Sequence, residues 1–137
     1  MVSRKPNVGD ILNYRYLWAR EAEDGAQEGQ KPRPCLVAAI LEKDNELTVF
    51  IAPITHSPPQ STSLGWLIPT EAARTAGLDQ EESYIIYSEL NSFTWRGFDV
   101  ERILFSDPPT DYFGRLPLAE INKIRSLIAG VKPIDRR

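Results

Sequence analysis

The chain has one cysteine and one histidine, Cys35 and His56, in 137 residues. A lone cysteine excludes an internal disulfide, and one Cys with one His makes no zinc site plausible. RNA cleavage by a histidine pair is excluded for the same reason, and Ser-His-Asp catalysis would have to use His56. Long hydrophobic runs are missing too. The longest, Cys35 to Leu41, is far too short to span a bilayer, and no apolar run follows Arg4 and Lys5, so the N-terminus does not read as a secretory signal. The eight glycines never take a phosphate-loop or dinucleotide spacing, and no calcium-loop pattern occurs. The formal charge of −3 argues against non-specific coating of nucleic acid but leaves room for a local basic cleft. A reducing, cytoplasmic setting and no membrane partner are the expectation.

What is present reads as one mainly β domain over residues 1–137. Gly9-Asp10 turns into a strand from Ile11 to Trp18, where Leu12, Tyr14, Tyr16 and Trp18 alternate with Asn13, Arg15 and Leu17 as on a half-buried strand. Residues 19–33 lose that period and form a charged, glycine-punctuated loop, read as flexible. Pro34 opens a buried strand to Leu41, Asp44-Asn45 makes a tight turn, and Leu47 to Ile54 returns, with Val49 and Ile51 on one face. Thr55 to Ser63 is a loop and Gly65 to Pro69 a short strand. Thr70 caps a helix to Ala76 that Gly77 ends. Tyr84 to Leu90 is a strand, Asn91 to Phe98 stays partly extended, and Ile103 to Phe105 adds a last strand. Pro117 starts a helix with the apolar stripe Leu118, Ile121, Ile124, Leu127 and Ile128, ended by Gly130. The tail over residues 132–137 is read as loose. Short strands, frequent turns and a terminal helix suggest a small curled barrel.

With metals, histidine pairs and phosphate loops set aside, chemistry falls to Arg, Lys, Thr, Ser, Asn and Tyr. Gln30-Lys31-Pro32-Arg33-Pro34 places a guanidinium between two prolines at the start of a buried strand. Pro53-Ile54-Thr55-His56-Ser57-Pro58-Pro59 ends the strand paired with it. If the hairpin closes at Asp44-Asn45, Arg33 and Thr55 come out at the same end of the sheet. A guanidinium fork beside a hydroxyl suits phosphoryl transfer, where it neutralises charge on a pentavalent transition state. In RNA the nucleophile is the substrate's own 2′-OH, so no metal or activated protein nucleophile is required. On spacing alone, Arg33 reads as a charge paired with a loop glutamate, Thr55 and Ser57 as satisfying loop backbone, and the tryptophans as packing. Glu81-Glu82 read as solvated charges.

Val8-Gly9-Asp10-Ile11, a loop, Arg33-Pro34 before a hydrophobic strand, Pro53-Ile54-Thr55, Ser92-Phe93-Thr94-Trp95-Arg96 and Gly114-Arg115-Leu116-Pro117 together resemble the MazF/PemK toxin family, in order, from Pro6 to Val131. The resemblance implies an SH3-like barrel with a C-terminal helix, usually a homodimer, that cuts single-stranded RNA without a cofactor. The products are 2′,3′-cyclic phosphate and 5′-hydroxyl ends, and an antitoxin partner inhibits. It further implies that Arg33 is the acid or transition-state clamp and that Thr55 positions the 2′-OH. Lys31, His56, Ser57, Asn91, Arg96 and Arg15 would then contact RNA, Asn91 standing where many members carry Lys or Arg. Two other readings keep the fold: a non-catalytic toxin or antitoxin-binding member, and a peptide-binding module using Tyr14, Tyr16 and Trp18.

Overall fold

The computed structural model describes residues 4–61, 64–79, 81–103 and 110–136. Gly9, at φ +101°, turns the chain into β1 (Asp10–Tyr14) so close to the C-terminal helix that a Cβ would lie 2.2 Å from Ile121 Cδ1. Only glycine meets both demands. The hairpin of β2 (Arg33–Lys43) and β3 (Glu46–Thr55) closes where the sequence places it, with Asp44 and Asn45 both at positive φ, 52° and 65°. That is the primed turn whose twist matches the flanking strands.

The remaining elements are α1 (Ala19–Glu23), β4 (Gly65–Leu67), α2 (Thr70–Thr75), β5 (Tyr84–Ile86), β6 (Asn91–Thr94), β7 (Tyr112–Arg115), α3 (Leu118–Leu127) and β8 (Ile134–Asp135). They make a mainly β molecule around one eight-stranded sheet ordered β4-β5-β3-β2-β1-β7. β3 is shared: Thr48–Ile51 pairs with β6, and Ile54–Thr55 pairs with β5. Pairing is antiparallel except between β6 and β8. The sheet stays open, with β4 and β7 at the ends of the path.

Side chains from the central strands enter two separate cores. Ile11, Leu36, Ala52 and Ile54 pack with Ile121, Ile124 and Ile128 of the C-terminal segment on one face. Leu12, Tyr14, Cys35, Val37, Val49, Ile51 and Phe93 pack on the other, where Tyr14 stacks on Phe93 at 4.6 Å between ring centroids. β1 is therefore buried on both faces rather than half-buried as its alternation suggests, and it stops at Tyr14. Even Asn13 is covered, because its side chain donates to the Glu101 and Arg102 carbonyls.

Several expectations change. The segment after Trp18 opens with α1, where the Glu21 carboxylate accepts the Trp18 N–H at 3.0 Å. Pro69, not Thr70, is the residue before α2, and no side chain caps it. The strand read from Tyr84 to Leu90 breaks after Ile86. β7 is absent from the sequence reading, since Tyr112-Phe113-Gly114-Arg115 has no clear alternation. The strand read at Ile103 to Phe105 lies partly outside the described residues, and Ile103 itself is in no strand. α3 begins at Leu118, and its stripe is narrower than expected: Ile121, Ile124 and Ile128 are buried, whereas Leu118 is 69% exposed. The tail is tied down rather than loose. β8 pairs with β6, and Arg136 bonds to Asn91 Oδ1 and the Arg15 carbonyl and forms an ion pair with Asp99. No helix among the described residues is long and apolar enough to cross a membrane.

Candidate functional site

A one-residue irregularity in the central hairpin sets the site. From the turn to Ala39 the pairing runs Lys43↔Glu46 to Ala39↔Phe50, and beyond Ala38 it resumes at Val37↔Ile51 and Cys35↔Pro53. A regular ladder closed at Asp44-Asn45 would set Arg33 against His56. The bulge shifts the register by one, so extending the Cys35–Pro53 pair two places outward sets Arg33 against Thr55. Directly opposed residues of an antiparallel pair share a face.

Arg33 and Thr55 line a cleft of about 570 Å³ with Lys31, His56, Ser57, Leu78, Asp79 and Phe113. Five of the eight residues singled out by sequence therefore converge here: Lys31, Arg33, Thr55, His56 and Ser57. The Arg33 guanidinium lies 5.0 Å from the Trp18 ring centroid, and its Nε is buried with no hydrogen-bond partner. It has no ion-pair partner among the described residues, so the loop glutamate expected from spacing is not there. An uncompensated buried donor costs about 1–3 kcal/mol. Thr55 Oγ1 accepts the Ser57 N–H at 3.1 Å, as its loop position suggested, while its own proton is not donated to any described group.

His56 is engaged at both ring nitrogens. Nδ1 lies 2.8 Å from the Glu82 carbonyl, and Nε2 lies 3.0 Å from Asp79 Oδ2 and 3.4 Å from Glu81 Oε2. The Glu82 carbonyl first, and then Asp79 and Glu81, raise its pKa above the ordinary histidine value. Asp79, which the sequence does not single out, and Glu81, which it leaves as a surface charge, arrive because β3 pairs with β5, with Thr55 opposite Tyr84. No local motif joins His56 to Asp79, Glu81 and Glu82; among the described residues the β3–β5 pairing brings them together.

The other three residues lie elsewhere. Asn91 is fully buried: its amide bonds both the N–H and the carbonyl of Leu17 at 2.9 Å and accepts from Arg136. It is an internal brace and has no surface to offer RNA. Arg15 pairs with Glu101 at 2.6 Å and donates to the Gln30 carbonyl. Arg96 donates to Asp111 Oδ2 at 3.2 Å and to the Val100 carbonyl. Tyr14 and Tyr16 are each 1% exposed, which removes the aromatic surface that a peptide-binding module would need. Trp18, classed by sequence as packing, also lies within 5.2 Å of the Arg20 guanidinium and so carries cations on its ring. Compared with protein-family models, with curated proteins and with solved structures, the chain gives no significant match.

Proposed function

We propose that the chain is a metal-independent endoribonuclease of the MazF/PemK kind, with its sheet and α3 forming the SH3-like core of that family. The supporting observation is Arg33: a guanidinium packed against Trp18, without a carboxylate partner among the described residues, on a residue that lines one cleft with Thr55 and Lys31. A phosphodiester supplies the missing partner. In the reaction the 2′-oxygen bonds to the adjacent phosphorus and the bond to the 5′-oxygen breaks. The 2′ proton passes to water, and the departing 5′-oxygen takes one from water. Arg33 clamps the non-bridging oxygens as charge grows on them, and Thr55 holds the 2′-OH in line. A cytoplasmic location, a homodimer and an inhibitory antitoxin belong to the same reading.

Incubating purified protein with a long RNA in EDTA should give discrete fragments ending in 2′,3′-cyclic phosphate. Arg33→Ala should slow cutting by roughly 10²–10³-fold. Intact RNA, or cutting that survives Arg33→Ala, overturns the proposal. A second reading, a non-catalytic toxin of the same fold, draws on Asp79 at the cleft, which repels phosphate. It predicts growth arrest insensitive to both Arg33→Ala and Thr55→Ala.

A further inference from the structure

Two residues of the cleft lining, His56 and Asp79, belong with Glu81 to a different set of donors. His56 Nε2, Asp79 Oδ2 and Glu81 Oε2 converge, all within 4.8 Å of one another. We propose that these three side chains bind one divalent transition-metal ion of the zinc class. Three features support it. The first is spacing. Ligand atoms about 2.1 Å from a common ion stand roughly 3.0 Å apart in octahedral and roughly 3.4 Å apart in tetrahedral coordination. Nε2 lies 3.0 Å from the Asp79 oxygen and 3.4 Å from the Glu81 oxygen.

The second is orientation. A backbone carbonyl only accepts, so the Glu82 carbonyl at 2.8 Å fixes the proton of a neutral ring on Nδ1 and leaves the lone pair on Nε2. That is the outer-shell arrangement that presents an imidazole to a metal. Asp79 is fixed in the same way: its Oδ1 accepts the Glu81 N–H at 3.1 Å, and Oδ2 is left facing the ring. The third is charge: Nε2 and two carboxylate oxygens meet at one point, and a dication between them would join a nitrogen lone pair to two anionic ligands.

Sequence counting excluded zinc because it allowed only Cys and His as ligands. The two carboxylates complete a mixed nitrogen and oxygen set, which favours zinc, nickel or cobalt over calcium or magnesium. The site involves no step of RNA cleavage, so binding and cutting are read independently.

The test is calorimetric titration of Zn²⁺ into EDTA-treated, buffer-exchanged protein at pH 7.5, with Co²⁺ absorption as a second probe. One ion per chain is expected. His56→Ala and Asp79→Asn should each weaken binding by roughly tenfold or more, with the far-ultraviolet spectrum unchanged because both side chains are exposed. Absence of binding to the wild-type chain by both metals overturns the proposal. So does binding that persists unchanged in both variants.

Discussion

Arg33 holds its charge where stability gains little from it. Its Nε is covered and unpartnered, a cost of about 1–3 kcal/mol, which the guanidinium's contact with the Trp18 ring, worth about 0.5–1 kcal/mol, offsets only in part. Arg33→Met, which keeps the stem, should leave thermal stability unchanged or raise it while abolishing RNA cutting. A loss of stability comparable to the loss of a core residue would show that the guanidinium is structural. Asn91 is the opposite case. Its amide satisfies both backbone groups of Leu17, so Asn91→Ala strands two buried groups at about 1–3 kcal/mol each. Urea denaturation should record that loss, whereas cutting by the protein that remains folded should persist. The family resemblance directs attention to Asn91 as a weakened RNA contact, but the side chain points into the protein.

Among the elements, α3 shows how far periodicity carries. Its 3.6-residue pattern marks the correct helix, yet Leu118, its first residue, stays exposed while Ile124 is fully buried. Ile124→Ala should therefore cost about 2–5 kcal/mol and Leu118→Ala no more than about 0.5 kcal/mol, as read from the two denaturation midpoints. The β2–β3 hairpin shows the reverse. Asp44-Asn45 announces its turn plainly, but nothing in the apolar run from Cys35 to Leu41 marks Ala38 as a bulge. That one residue decides whether Arg33 faces Thr55 or His56.

For the molecule as a whole, two cores on opposite faces of one sheet leave three of the five tyrosines covered. Burial raises the phenols of Tyr14 and Tyr16 strongly, and pushes Tyr112 up to about 12. In the unfolded chain each would ionise near pH 10. The folded state thus holds protons that the unfolded state releases, and the associated stability is complete below about pH 10 and is lost as pH rises beyond it. Melting temperature should fall between pH 10 and 12. Phenolate absorbance from these three residues should appear with unfolding rather than before it. A full five-tyrosine transition near pH 10 in the native protein would contradict the burial.

Arg33 and Thr55 entered as candidates through the ordered family resemblance; the sequence by itself determined the mainly β class, the central hairpin with its turn, and the terminal helix. These follow from short-range rules, namely residue period, turn chemistry and helix limits, that each segment obeys alone. Tertiary structure decided the bulge, the sharing of β3 between β5 and β6, the docking of residues 134–136, and the meeting of His56 with Asp79 and Glu81. Each depends on pairing between segments far apart in the chain. The opposition of Arg33 and Thr55 needed both levels: residue types that the sequence supplies, and a register that only the packed sheet sets.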